Sequence, residues 1–251
     1  MNSEQVAAKI ARGLTDPRIT VVGCGGAGCN IINSISTELV NVTSVAINTD
    51  DTNLDGIEAD KKLLIGKDIT DCRGADGNVS IGKQCAVEAE ESIQSVLDGS
   101  DIVFIVAGMG GGTGSGATPV IADIAQKMGS VVVGIVVSPF SFERNRQKVA
   151  TDGISSLKSV VSNVVVVDND RLLHMAGDCS MEESFNVINR FVAKIVTVIS
   201  DKITIEIRDQ VAAEVKNEVR VLEPQAPLKP QASEVPICGV LPSILSNPLP
   251  Q

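Results

Sequence analysis

The sequence predicts an α/β fold, in which a six-stranded parallel sheet carries helices on both faces and is followed by a long helix. Six glycines within Gly108–Gly116 separate the apolar run Ile102–Ala107 from the amphipathic run Thr118–Lys127, as in a strand, tight loop and helix. A second glycine-rich turn follows the short β-branched run Arg18–Val22. Val131–Val137 is apolar throughout, which is typical of a parallel strand buried on both faces. Together these features predict a Rossmann-like sheet.

Composition limits the possible functions. The 251 residues carry a formal net charge of −10 and include no Trp or Tyr, which argues against binding of nucleic acid or an acidic membrane surface. No signal peptide or membrane span is visible, so we expect a soluble cytoplasmic protein with no direct membrane insertion. Its six cysteines form no C-x-x-C pair and it has one His, so a zinc site is not expected.

The loop between the fourth strand, Ile102–Val106, and the next helix has the features of an anion site. Glycines let the backbone approach a phosphate closely, and the amides at a helix N-terminus favour negative charge. Two hydroxyl side chains lie in the same turn. The predicted phosphate-binding residues here are Gly110, Gly111, Gly112, Thr113, Gly114 and Ser115.

The first glycine turn, residues 23–28, has the spacing G-x-G-x-x-G and leads into a helix predicted to reach about Leu39. The second strand, Thr43–Ile47, is followed by Asp50, at the distance where a dinucleotide-binding fold places its ribose acid. A nicotinamide dehydrogenase is one interpretation of this turn. A second glycine loop after the fourth strand disfavours it, and no acid–base pair for hydride transfer stands out. Candidate nucleotide-binding residues are Gly25, Gly26, Ala27, Gly28, Cys29, Asn30 and Asp50.

Several strings resemble one family. Gly110–Gly116 matches the tubulin signature G-G-G-T-G-[ST]-G, Asn48–Asp50 matches its N-T-D, and Gly66–Thr70 is similar to its G-[RK]-D-L-T. Over about residues 16–204 the chain resembles the tubulin/FtsZ superfamily, and FtsZ cell-division GTPases more than eukaryotic tubulin. The resemblance implies the nucleotide-binding domain of that family, with GTP or GDP as ligand and Mg²⁺ as companion ion.

The resemblance also assigns a loop after the third strand, Lys62–Ile65. In the family this loop closes over the γ-phosphate, which implies roles for Gly74, Ala75 and Gly77. A helix over about 79–97 follows, and an Asp or Asn before it would also suit a helix N-cap.

The segment Ser138–Arg146 resembles the family string P-F-x-F-E-G-x-x-R with one residue missing after the glutamate. The resemblance implies that Glu143 binds ribose and that Arg146 lies by the ribose and phosphates. Arg146 carries this role only if the gap falls between the two residues. The alternative is a helix start with solvated charges.

After the sixth strand, Asn163–Val167, a long apolar helix is predicted from Ser180 to about Lys202. The resemblance makes it the central helix under the nucleotide, with Phe185 stacked on guanine and Asn189 bonded to the guanine edge. The spacing i, i+4 places both on one helix face. An amide both donates and accepts, so Asn189 is compatible with guanine. Asn30 carries over as a further guanine contact. The alternative is that Phe185 belongs to the core and Asn189 is incidental.

The family pattern stops near Thr204. The acidic catalytic loop and the C-terminal domain that follow it in FtsZ are not evident, and Glu206 and Asp209 are only weak catalytic candidates. We expect an N-terminal arm over 1–15, the GTPase-like domain over 16–204, and an amphipathic helix over 205–222, continuous with the central helix or folded back on it. Residues 223–251 hold seven of the ten prolines and are expected to be disordered or extended. Their apolar islands suit either a docking peptide or a floppy terminus.

These features predict an FtsZ-like GTP-binding protein, a cytoskeletal or cell-division GTPase whose hydrolysis is weak or depends on a partner. That partner would be a second copy of the chain or a full-length FtsZ-like protein. The alternative is a non-hydrolysing regulator that caps or modulates filaments of a full-length FtsZ. An NAD-binding Rossmann oxidoreductase is a remote alternative.

Overall fold

The computed structural model describes residues 17–36, 42–176 and 181–222. These residues form a six-stranded parallel sheet in the order β3-β2-β1-β4-β5-β6, which confirms the predicted fold class. The strands are β1 Ile19–Cys24, β2 Val42–Asn48, β3 Lys61–Leu64, β4 Ile102–Gly108, β5 Val131–Ser138 and β6 Asn163–Asp168. The helices are α1 Gly25–Ile35, α2 Asp51–Asp55, α3 Lys67–Thr70, α4 Val79–Glu88, α5 Glu90–Leu97, α6 Gly112–Lys127, α7 Arg144–Val160, α8 Asn169–Ala176 and α9 Met181–Leu222.

The strand register brings the two glycine turns to one edge of the sheet. β1 lies between β2 and β4, and Cys24 at its end pairs with Ile47 and with Ala107. The chain leaves β1 and β4 at the same level, at the point where the strand order changes direction. In open parallel sheets this switch point is the usual place for a ligand.

Apolar side chains fill both faces of the sheet. Val22 and Ile105 point to the face covered by α4 to α7, while their neighbours Val21 and Phe104 point to the face covered by α1 and α9. All four side chains are fully buried. This two-sided burial explains why β1, β4 and β5 read as nearly continuous apolar runs.

The helix predicted over 79–97 is wrong in one respect, because the structure divides it into α4 and α5. Ala89 ends the first helix and precedes the second, with φ −91° and ψ 14°. Neither Gly nor Pro lies at the break. The local sequence therefore gives no signal for the break. Ala86 before the break and Ile93 after it both pack in the same hydrophobic core.

The helix after the fourth strand begins at Gly112, within the glycine loop, and not at Thr118 as the amphipathic pattern suggested. Glycine disfavours helix, but close packing against α4 compensates for this. A Cβ placed on Gly116 would lie 2.2 Å from the carbonyl oxygen of Val79, and one on Gly82 would lie 2.3 Å from that of Gly112. The two helices therefore cross backbone to backbone.

Helix α9 is one continuous helix of 42 residues. The segment after Lys202, for which the sequence left two arrangements open, extends the central helix in line. None of the described helices is both long and apolar enough to cross a membrane. The N-terminal arm, the end of the first predicted helix beyond residue 36 and the proline-rich tail lie outside the described residues.

The packing of α1 gives a first prediction. A Cβ on Gly28 would lie 2.4 Å from the carbonyl oxygen of Val106, whereas one on Gly26 would meet nothing within 4 Å. We expect Gly28→Ala to lower the free energy of unfolding by about 1–3 kcal/mol, because backbone must move to admit the methyl group. Gly26→Ala, in the same helix, is expected to leave it unchanged or slightly higher. Urea titration followed by circular dichroism measures both, and equal effects of the two variants would contradict this packing.

Candidate functional site

The two glycine turns pack closely against each other. A Cβ on Gly25 would lie 3.0 Å from the amide nitrogen of Gly114, and one on Gly108 would lie 2.6 Å from the Cβ of Ala27. Gly25 also has φ 71°, a conformation that L-residues rarely adopt. The starts of α1 and α6 are thereby held side by side.

Both helix starts present backbone donors. No side chain caps α1 or α6 among the described residues, and neither helix has an acidic residue in its first turn. The first-turn amides of a helix have no intrahelical acceptor, and the helix dipole adds positive potential there. Two such ends side by side form a site suited to a polyanion.

The predicted hydroxyl donors brace the second glycine turn, residues 108–116. The Ser115 hydroxyl accepts from the amide of Gly110 at 2.8 Å, so that amide is already engaged. The Thr113 hydroxyl bonds that of Thr49 at 2.7 Å, which ties the turn to the residue after β2. Both threonines are buried. These bonds fix the shape of the turn before any ligand arrives.

A cavity of about 510 Å³ opens beside the start of α1 and the end of β4, and none of residues 110–115 is in its lining. It lies between α1, the ends of β4 and β5, the loop after β5, the start of α8 and the first turns of α9. The predicted site residues that line it are Gly26, Ala27, Asn30, Glu143, Arg146, Phe185 and Asn189.

One wall of the cavity is aromatic. Phe140 is buried and stacks on Phe142 with ring centroids 5.1 Å apart, and it meets Phe185 edge-on at 5.8 Å. Phe142 and Phe185 both line the cavity and are 62% and 48% exposed. Phe185 is thus an exposed cavity residue and not part of the core. Two open aromatic faces can receive a planar ring. Phe142 was not predicted as a site residue, although it lies in the same string as Phe140 and Glu143.

The charges of Glu143 and Arg146 are paired rather than freely solvated. Arg146 Nη1 lies 2.9 Å from Glu143 Oε2, and the other carboxylate oxygen accepts from the amide of Phe140 at 3.1 Å. Glu143 therefore holds the loop that carries the aromatic wall, and Arg146 brings a positive charge to the cavity.

Asn169 was not identified from the sequence. It begins α8, is buried and lines the cavity, and its side-chain oxygen Oδ1 has no hydrogen-bond partner among the residues that the structure describes. A buried acceptor without a partner costs free energy, so a ligand donor at this position would be favourable. Two sequence signals were available: its place directly after β6, and the resemblance of Asp168–Leu173 to the family string I-P-N-D-[KR]-L-L.

Several predicted residues lie beside the cavity rather than in its lining. Ala75 is buried against the second glycine turn, and a Cβ on Gly112 would lie 2.9 Å from its Cβ. Gly74 is next to the side chain of Asp50, which caps α2 by accepting from the amide of Asn53. Gly77 is exposed in the same loop.

Gly28 and Cys29 face away from the cavity. Gly28 packs against β4 as described above, and Cys29 is fully buried with its thiol directed to the carbonyl oxygens of Gly23 and Ile47. Burial raises the pKa of Cys29 to about 12 and that of Cys24 to about 11. Both thiols are therefore neutral and unsuited to nucleophilic chemistry near neutral pH.

Glu206 and Asp209 lie far from the cavity of their own chain. Both are exposed on α9, and Glu206 is ~25 Å along the helix axis beyond Asn189 at 1.5 Å per residue. The described residues also contain no group of three or more His, Cys, Asp or Glu side chains that could hold a metal ion.

Comparison with known proteins gives consistent matches. The model of the Tubulin/FtsZ family, GTPase domain, matches residues 18–177. Cell division protein FtsZ 2 of Halobacterium salinarum is 43% identical over 190 residues, which are 75% of this chain and 48% of that protein. The chain thus spans about half the length of this relative.

Solved structures agree with this match. The empty FtsZ dimer of M. jannaschii superposes with a TM-score of 0.76 and 38% identity, covering 81% of this chain and 60% of that one. CetZ2 of Haloferax volcanii, solved as a GTPγS-bound protofilament, superposes with a TM-score of 0.67 and 27% identity, covering 73% and 58%.

The buried thiols give a second prediction. At pH 8, alkylation of Cys24 and Cys29 by iodoacetamide should be about 10²-fold slower in the folded protein than in urea, because burial keeps both thiols protonated. Half-buried Cys72 is the internal reference. Peptide mass spectrometry measures each site, and rapid native labelling of Cys29 would show that its thiol faces solvent or the cavity.

Proposed function

Because the chain belongs to the tubulin/FtsZ family through its GTPase domain, we propose that it binds a guanine nucleotide, GTP or GDP, in this cavity. The observation that carries the proposal is the pair of uncapped, acid-free helix starts that meet beside an aromatic-walled cavity. The phosphates lie against the two glycine turns, and the base lies against Phe142 and Phe185.

Each predicted contact has a chemical role in this arrangement. Amides of Gly26, Ala27 and residues 111–114 bind phosphate oxygens, since backbone donors are favourable partners for anions. Glu143 binds ribose hydroxyls as an acceptor, and Arg146 adds a positive charge beside the phosphates.

The loop that contains Gly74, Ala75 and Gly77 completes the site at the terminal phosphate. It packs on the second glycine turn through Ala75, so a γ-phosphate there would contact both. Gly74 and Gly77 have φ 91° and 74°, which lets the backbone amides of this loop turn toward the ligand.

Mg²⁺ is proposed to bind only together with the nucleotide. Protein-bound Mg²⁺ is often held by one or two carboxylates together with substrate phosphates, and the described residues provide no carboxylate cluster of their own. Two acidic residues lie at this loop: Asp50, whose side chain is beside Gly74, and Asp76 within the loop itself. The ion would neutralise phosphate charge.

Hydrolysis by the isolated chain is proposed to be weak. Glu143 is the acidic residue among those that line the cavity, and it is paired with Arg146. Glu206 and Asp209 are too distant to act in their own chain, so any role they have is on a neighbouring subunit. The partner is a second copy or a full-length FtsZ-like protein, in a cytoskeletal or cell-division role in the cytoplasm.

A regulator of filaments is the second candidate function. It is compatible with a cavity lining whose acidic residue, Glu143, is already paired with Arg146. Sedimentation with GTP, alone and with a full-length FtsZ, separates the two. Pelleting of the chain alone supports a filament former, while shortening of the relative's filaments supports a regulator.

A third prediction tests nucleotide binding. We expect isothermal titration of the full chain to detect GDP and GTP, and to detect ADP and NAD⁺ more weakly or not at all. Phe185→Ala should weaken GDP binding about tenfold, because it removes a stacking face. Phe191→Ala is the control, since Phe191 is similarly exposed on the same helix but does not line the cavity. No heat with GDP at saturating concentration would reject the proposal.

A fourth prediction concerns turnover. Phosphate release from GTP by the chain alone should be slow, and it should rise when a full-length FtsZ is added. The double variant Glu206→Gln, Asp209→Asn should keep the GDP affinity of the parent, because neither residue reaches the cavity. Rapid turnover that is independent of protein concentration and unaffected by the double variant would contradict a requirement for a partner.

A further inference from the structure

A short chain of hydrogen bonds connects the first helix to Asn189. The Ser34 hydroxyl donates to the carbonyl oxygen of Asn30 at 2.9 Å. Asn189 Nδ2 donates to the same hydroxyl oxygen at 3.3 Å. Asn30 and Asn189 line the cavity, whereas Ser34 does not.

The chemistry of the hydroxyl fixes the orientation of the Asn189 amide. A serine hydroxyl has one proton, and the carbonyl oxygen of Asn30 takes it. Toward Asn189 the hydroxyl can therefore only accept, so the amide group that faces it must be the NH₂. The oxygen Oδ1, at the other end of the planar amide group, is left for the cavity.

We propose that Ser34 is a positioning residue that makes Asn189 present an acceptor to the base, and so selects guanine over adenine. This inference rests on the proposed binding of a guanine nucleotide. Guanine carries adjacent donors, N1–H and the N2 amino group, where adenine has the N1 acceptor. An acceptor at Asn189 pairs with guanine and faces the lone pair of adenine.

A second acceptor lines the same cavity. Asn169 Oδ1 is buried, and within residues 17–36, 42–176 and 181–222 it has no hydrogen-bond partner. The two oxygens, Asn189 Oδ1 and Asn169 Oδ1, are both hydrogen-bond acceptors. Together they are complementary to a base edge that carries adjacent donors. Ser34 matters because an amide, unlike a carboxylate, can turn over and offer its NH₂ group instead.

The test measures selectivity. The dissociation constants of GDP and ADP are measured by titration calorimetry for the full chain and for Ser34→Ala. The affinity for GDP divided by that for ADP should fall about five- to tenfold in Ser34→Ala. Without the serine hydroxyl, the Asn189 amide can turn its NH₂ group toward adenine N1. Ser34→Thr keeps a hydroxyl that can bond the same carbonyl, and it should restore the parental ratio.

Two further variants separate positioning from a general effect on the helix. Ser155→Ala is the matched control, because Ser155 is exposed and its hydroxyl donates to the carbonyl oxygen four residues earlier, at 2.8 Å in α7. It should leave the ratio unchanged. In an Asn189→Asp background, Ser34→Ala should also leave the ratio unchanged, because both carboxylate oxygens accept.

Each other outcome counts against the inference. Equal weakening of GDP and ADP by Ser34→Ala would mean a merely structural role, and an unchanged ratio would mean that Asn189 needs no support. A fall in the ratio of GDP to ADP affinity when Ser34→Ala is added to Asn189→Asp would likewise contradict the proposed role of Ser34. If the parent chain binds no GDP, the proposed function fails as well, and the parental titration distinguishes that case.

Discussion

The close approach of two backbone turns is the constraint on which the rest of the site depends. The turn after β1 and the turn after β4 touch through Gly25 and Gly108, where a Cβ would lie 3.0 Å from the amide nitrogen of Gly114 and 2.6 Å from the Cβ of Ala27, respectively. Because the strands are adjacent and in register, the helices that follow start side by side. The glycines therefore create a double set of backbone donors that larger residues would push apart.

The charge distribution supports the same arrangement. The chain has a formal net charge of −10, yet neither α1 nor α6 has an acid in its first turn. The acidic residue in the cavity lining, Glu143, is partnered by Arg146. An overall acidic protein thus keeps a local environment that does not repel phosphate.

The sequence predicted the sheet well because its signals are local. Runs such as Val131–Val137 can only be strands buried on both faces, and the glycines mark where strands end. The break at Ala89 and the start of α6 at Gly112 were not predictable in this way, because both depend on packing between α4 and its neighbours rather than on propensity. Tertiary contact overrides local preference at these points.

The candidate site shows the same division. Phe185 and Asn189 were found because a motif and helical spacing place them together, and both line the cavity. Asn169 and Ser34 were not predicted, because their roles depend on contacts that form only in the folded chain. Asn169 has a buried oxygen without a partner among the described residues, and the Ser34 hydroxyl connects α1 to α9. Cys29 directly follows the motif, yet its position on α1 places its side chain in the core. A motif thus identifies a segment, while the fold decides which of its side chains faces the ligand.

The two outer strands of the sheet have different consequences for behaviour in solution. β3 begins with Lys61 and Lys62, whose charges discourage another strand from adding there. β6 is Asn163–Asp168, with four consecutive valines, and Val166 is 41% exposed. In the part of the chain that the structure describes, no strand pairs with its outer side. If copies of this chain aggregate by adding strand to strand, the β6 border is where such growth begins, and a lysine there would act as a gatekeeper.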